Sequence, residues 1–235
     1  MKFNTRRQTI KCWAIPVLLL FTLIRLDAQE ATRMGFDYSV ISWEGSIKNQ
    51  LYRQDGSTYV AMNLYPTSRT PWFRHQGSET VTFYTKQTLQ DESHQYTPAV
   101  KATVPENIER ALIIVTKNKS TNSFEALVVN DSIDICPVGS YRFLNWTDKK
   151  IAGRLGSDNF LLAPKDGKTI QPEKTDDKNL SIQLVELTDP DNQRLYSSRW
   201  SLQSSTRKLV LLVPRDQQGQ SSVRIKIITD YGPPA

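Results

Sequence analysis

Tyr38-Ser-Val-Ile-Ser-Trp43 and Tyr141-Arg-Phe-Leu-Asn-Trp146 follow one pattern, an aromatic residue at each end and an apolar pair in the middle, set 103 positions apart. Two further pairs of stretches keep nearly the same interval. Arg110-Ala-Leu-Ile-Ile-Val115 matches Arg207-Lys-Leu-Val-Leu-Leu212 at an offset of 97, and Val128-Val-Asn-Asp131 matches Ile227-Ile-Thr-Asp230 at an offset of 99. About 100 residues is the length of one small β-sandwich, so the chain reads as two copies of one domain, over residues 36–135 and 136–232. A tryptophan at the same place in both copies is expected to fill the core of its own domain.

The stretches between these landmarks read as strands. Phe36 to Trp43 alternates apolar and polar residues at its start and stops at Glu44-Gly45. Asp55-Gly56 separates Ile47–Arg53 from Thr58–Tyr65, the strongest short hairpin signal in the chain, because a type I′ turn needs positive φ at both central residues. Glu79 to Thr85 is rich in β-branched and aromatic residues. Gln87 to Tyr96 is polar and reads as a long excursion. Leu112-Ile-Ile-Val115 has the unbroken apolar character of a strand buried on both faces. The second copy repeats the order through Ile151–Leu155, Phe160–Ala163, Leu180–Leu187 and Leu209–Val213, ending in Val223–Thr229. About seven strands per copy, with no helical period anywhere, predict an all-β protein of two tandem antiparallel, immunoglobulin-like β-sandwiches. The junction from Asn130 to Ser140 lacks the Gly/Ser or Pro richness of a free linker and is expected to be ordered.

Residues 1–28 have the form of a secretory signal peptide: a basic segment, an apolar run from Cys12 to Ile24, then Leu26-Asp-Ala28 before Gln29. Residues 29–35 are a short polar lead. The apolar run of 13 residues would rise only about 20 Å as a helix, short of the roughly 30 Å hydrocarbon core, which favours cleavage over a retained anchor and leaves no stable membrane span. Thr5-Arg-Arg-Gln-Thr-Ile-Lys11 also resembles a twin-arginine motif, but the strongly apolar run favours the general secretory route. The expected destination is the periplasm or cell surface.

The formal charge of +6 belongs mostly to this leader. Without Lys2, Arg6, Arg7, Lys11, Arg25 and Asp27 the remainder holds 25 basic and 23 acidic residues, a balance of +2. A nucleic-acid binder needs a sustained basic patch, and none is present. Cys136 is the one cysteine after the leader, so no internal disulfide is available and each domain depends on its own core.

The second copy, with Tyr141-Arg-Phe-Leu-Asn-Trp-Thr147, Ile151-Ala-Gly-Arg-Leu155 and Leu161-Leu-Ala-Pro164, resembles short β-sandwich modules that recur in uncharacterised bacterial exported and cell-surface proteins. The resemblance covers about forty residues. It implies an immunoglobulin-like or transthyretin-like module, often in tandem, with no catalytic motif to carry over. Two such domains after a signal peptide also resemble the periplasmic pilus chaperones, whose basic anchoring pair and alternating apolar donor strand are not assigned to particular residues here, so that reading stands second.

Catalytic chemistry has little to draw on. The two histidines, His75 and His94, lie in polar contexts expected to be exposed loops, and no nucleophile, metalloprotease or redox motif accompanies them. Adjacent carboxylates such as Asp91-Glu92 would face opposite sides of a strand. Asp189-Pro-Asp-Asn192 could offer oxygens to calcium, but Asp and Asn equally favour turns, and no metal or cofactor is expected. The one ligand hypothesis rests on Tyr65, Arg69, Trp72, Phe73, Arg74 and His75, aromatic and basic residues around a proline-bounded loop, the residue types that anchor interfaces. The competing reading places Trp72 or Phe73 in the core. The whole predicts a non-enzymatic binding or scaffolding protein whose partner is a protein or envelope component. A periplasmic chaperone acting by strand addition and a carbohydrate-binding module using the Trp72 region, with a glycan as ligand, are the alternatives.

Overall fold

The computed structural model describes residues 35–118, 121–173, 179–215 and 223–231. The signal peptide expected over residues 1–28, the lead up to residue 34 and part of the charged stretch between Lys165 and Asn179 lie outside them. The described chain is all-β. The first copy forms β1 (Phe36–Ser42), β2 (Ile47–Asp55), β3 (Thr58–Leu64), β4 (Phe73–His75), β5 (Thr80–Thr88), β6 (His94–Thr103), β7 (Arg110–Lys117) and β8 (Phe124–Asn130). The second forms β9 (Tyr141–Asn145), β10 (Ile151–Leu155), β11 (Asp158–Leu162), β12 (Gly167–Ile170), β13 (Asn179–Glu186), β14 (Gln193–Ser201), β15 (Thr206–Pro214) and β16 (Val223–Tyr231).

Four sheets of four strands result, in the orders β4-β1-β7-β8, β3-β2-β5-β6, β12-β9-β15-β16 and β11-β10-β13-β14. The last two orders are the first two with every strand advanced by eight. Each copy therefore has the same topology and is a β-sandwich of two sheets. Within that architecture β1 runs parallel to β7, and β9 to β15, while the other pairings are antiparallel. The division of strands between sheets, 1-4-7-8 and 2-3-5-6, differs from that of the immunoglobulin constant domain, which groups its first, second, fourth and fifth strands. The eighth strand of each copy, beyond the seven expected, is the short β4 or β12, paired to the edge of β1 or β9. Where a polar excursion was expected after Gln87, β5 and β6 instead continue as a hairpin paired as far as Thr88 and His94.

The strand period of two decides what each side chain meets. In β7, Ala111, Ile113 and Val115 enter the core of the first sandwich with Phe36, Tyr38, Val40 and Phe83. Leu112 and Ile114 point the other way and are nonetheless buried. That is the physical basis of the unbroken apolar run: both faces of the strand are covered. In the second sandwich, Phe143, Val210 and Leu212 are the inward residues, and the large ring of the core is Trp200, stacked near-parallel on Tyr141 and Phe143. Gly153 sits opposite Phe160 on β11. Its missing Cβ would lie 2.1 Å from the Phe160 ring, so glycine is what lets that ring lie flat over the strand and reach Phe143, 4.6 Å away between centroids.

The residues facing away from the two cores meet each other. Ile41, Leu112, Ile114 and Val129 of the first copy pack against Leu144, Leu209, Leu211 and Ile228 of the second, with Trp43 and Trp146 at the margin. These are equivalent positions, related by the same offsets of 103, 97 and 99 that mark the repeat. The contact is self-complementary in the way of a two-fold homodimer interface, built inside one chain. The repeat suggested that each tryptophan fills the core of its own domain; both instead lie at the margin of the shared layer. Tyr38 and Trp43 are five positions apart, an odd number, so only one of them can enter the core, and Tyr38 does.

The junction is ordered, as expected. Asp131 N–H donates to Arg110 O, Gly139 N–H to Thr206 O, and the Thr169 hydroxyl to Ile135 O, which ties the segment to both sandwiches.

Candidate functional site

The six residues proposed from sequence do not converge. Phe73 lies against the first core, its ring 5.5 Å from Tyr38 and under the Arg53 guanidinium at 4.5 Å. His75 is in a strand rather than a loop, with its ring 5.0 Å from Phe36. Arg74, between them, points out and pairs with Asp37 at 3.2 Å. Trp72 is covered by the guanidinium of Arg110 at 4.2 Å. Tyr65 is exposed beneath the Lys48 ammonium. Tyr65, Arg69 and Phe73 do share the lining of one shallow cavity of about 300 Å³, between β3 and the loop from Pro66 to Pro71. His94 is exposed, its Nδ1 3.4 Å from the Thr88 hydroxyl.

Arg69 has a partner that sequence reasoning missed. Its guanidinium is paired with Asp131, and it stands 3.9 Å from Asp230. Arg207 reaches the same two carboxylates, at 2.9 and 2.7 Å, and also donates to the backbone oxygens of Asp131 and Cys136. Asp131 and Asp230 are equivalent positions of the two copies, as are Arg110 and Arg207. The symmetry breaks at the arginines: Arg110 has turned onto Trp72, and Arg69 from the loop takes its place. Burial disfavours the charge on Arg207, but Asp131 and Asp230 outweigh it and hold its pKa above the usual range. Beside this clamp the Cys136 thiol is buried, which raises its pKa, and it lies 3.5 Å from the Ser140 hydroxyl.

At the opposite end of the shared layer, Trp43 and Trp146 line a cleft of about 410 Å³ together with Ile114, Leu127, Val213 and Pro214. Trp43 carries two cations on its ring, Arg224 at 4.9 Å and Lys226 at 4.8 Å. The Lys226 ammonium donates to the backbone oxygens of Ser42 and Trp43, and Arg224 pairs with Glu44. Burial, reinforced by Arg224 and opposed by Glu44, lowers the Lys226 pKa to about 8.

The outer face of the β3-β2-β5-β6 sheet is the third candidate. Tyr52 follows buried Leu51 and Tyr84 follows buried Phe83, so both face away from the core. Tyr59 and Tyr96 join them. Tyr59 and Tyr96 are stacked, 4.0 Å between centroids and 6° between planes, with Tyr84 edge-on to Tyr59 and Tyr52 edge-on to Tyr96. The Tyr84 hydroxyl lies 3.5 Å from the Gln54 amide oxygen. The signal for this face was present in the sequence: each of β2, β3, β5 and β6 holds one of these tyrosines, whereas β10, β11, β13 and β14 of the second copy hold only Tyr196.

Among the described residues no group of three or more His, Cys, Asp or Glu side chains is placed to hold a metal ion. Compared with known proteins, the chain matches no family model and no curated protein.

Proposed function

We propose that this chain is an exported, non-enzymatic scaffold of the cell envelope that holds binding surfaces in a fixed relation. The observation that carries this reading is the shared apolar layer between the sandwiches. Eight buried side chains, four from each copy, close it, and the Arg207 clamp locks one end. Contacts between tandem domains of one chain are ordinarily small and leave room for relative motion; a layer whose side chains are as buried as those of a domain core does not. A protein whose task is to keep two outer faces at a set spacing benefits from such stiffness.

The leader-like form of residues 1–28 supports export. The test is to produce the full chain in a Gram-negative host, fractionate the cells, determine the N-terminus by mass spectrometry and crosslink in the envelope fraction. A chain beginning at Gln29 and crosslinked to a defined envelope component is the expected result. An unprocessed chain confined to the cytoplasm would overturn it. Glycan binding is favoured as a second reading by the tyrosine face rather than the Trp72 region, because Trp72 is covered by Arg110.

A further inference from the structure

The tyrosine face has a charge property that its rings alone do not reveal. No Asp or Glu occurs in β3, β5 or β6, and the one acid of β2, Asp55, is paired with Arg53 at 2.8 Å. Lys101 lies between buried Val100 and Ala102, so it projects from the same face, and Lys86 is paired across the ladder with Tyr96. Both lysines are exposed. The outer face of this sheet is therefore a tyrosine cluster flanked by ammonium groups, with no carboxylate among its outward side chains. On the opposite outer face, the sheet β11-β10-β13-β14 offers no comparable cluster of rings.

We propose that the face carrying Tyr52, Tyr59, Tyr84, Tyr96, Lys86 and Lys101 binds a carboxylate-bearing polysaccharide. The proposal rests on the reading of the chain as an envelope binding protein and names what it binds. Each phenol hydroxyl is both donor and acceptor, and each lysine supplies three donors, a set suited to the hydroxyls and carboxylates of an acidic sugar polymer. The rings run in a continuous series from Tyr84 through Tyr59 and Tyr96 to Tyr52, each engaged with its neighbour. Such a cluster is preorganised, so little side-chain freedom remains to be lost on binding. The same packing argues against a single-stranded nucleic acid, whose bases need open ring faces on which to stack: Tyr59 and Tyr96 cover each other.

The test is affinity measurement of the full chain, recovered after export, for polygalacturonate, neutral dextran and a single-stranded oligonucleotide at low and high salt. The expected result is polygalacturonate binding that weakens with salt, as ammonium–carboxylate contacts at a surface must, and no binding to dextran. Tyr59→Phe combined with Tyr96→Phe keeps the stacked rings and removes two hydroxyls; Lys86→Gln combined with Lys101→Gln removes two exposed charges. Each pair is expected to weaken polygalacturonate binding at least about tenfold, the equivalent of about 1.4 kcal/mol. Arg154→Gln with Arg199→Gln, on the opposite outer face, is expected to leave it unchanged. Undiminished binding in either tyrosine-face variant, an equal loss in the arginine variant, or a preference for dextran or the oligonucleotide would each overturn the proposal. Loss of polysaccharide binding alongside an intact envelope crosslink would remove this inference and leave the scaffold reading standing.

Discussion

Arg207 of the second sandwich and Asp131 at the end of the first form an ion pair at 2.9 Å, with side chains 3% and 2% exposed. Neither carries its charge at the surface, and each sits on a different copy of the repeat. Removing Asp131 leaves two guanidiniums, Arg69 and Arg207, with Asp230 as their one remaining carboxylate, an excess of buried positive charge that costs far more than the ion pair itself contributes. Asp131→Asn is therefore expected to destabilise the chain by about 3–5 kcal/mol in urea unfolding. The double replacement Asp131→Leu with Arg207→Met should cost less than the single one. A single variant as stable as the parent would contradict this account of the clamp.

Leu211 belongs to neither core, yet it is fully buried in the layer between the sandwiches. Leu211→Ala is expected to cost about 2–5 kcal/mol, as for any closely packed leucine. The distinctive outcome lies in the shape of the transition. Weakening the shared layer should split one cooperative unfolding step into two, whereas Leu155→Ala, inside the second core, should lower stability without that split. Coincident transitions for Leu211→Ala by tryptophan fluorescence and circular dichroism would count against a layer that couples the two halves.

Gly153 is required by a neighbour rather than by its backbone angle. An added Cβ would collide with the Phe160 ring and push it off Phe143. Gly153→Ala is expected to cost about 1–3 kcal/mol through overpacking, and Gly153→Ala with Phe160→Leu should recover part of the loss. Thermal unfolding of the two variants measures both effects.

Lys226 makes stability depend on alkaline pH, with the same sign as a carboxylate whose pKa is depressed on folding: stability rises as pH rises. Its pKa is about 8 in the folded chain against an ordinary 10.5. Below about pH 8 both states hold the proton and the cost of the buried ammonium is fully present. Between about 8 and 10.5 the folded chain has released the proton while the unfolded chain keeps it, so stability contributed by this group rises with pH. Relative to Lys226→Met, the parent should gain stability as pH climbs through that window. A constant difference between the two across the window would show that Lys226 titrates as an exposed lysine does.

The repeat made the two sandwiches legible because strand order, turn chemistry and offsets agreed in both copies. What it could not assign was the destination of Trp43 and Trp146, since equivalent positions suit a shared seam as well as two separate cores. The parity of the six-residue run held the answer: an odd separation from Tyr38 places Trp43 on the other face. Arg69 was read as a ligand residue because its loop is basic and aromatic. Its pairing with Asp131 spans 62 residues, and no local pattern carries that information. The tyrosine face was missed for a related reason: one tyrosine in each of four strands is unremarkable along the chain and becomes a cluster only when the strands lie side by side.

Back-to-back packing also decides what the doubled domain cannot do. Sheets stack about 10 Å apart, so the two outer sheets are separated by three such gaps, about 30 Å, and look in opposite directions. Two copies strung on a flexible tether could grip one polymer twice and gain avidity. Here the outer sheets of the two copies look away from each other, so one polymer cannot lie on both at once, and repetition has produced a molecule with a front and a rear.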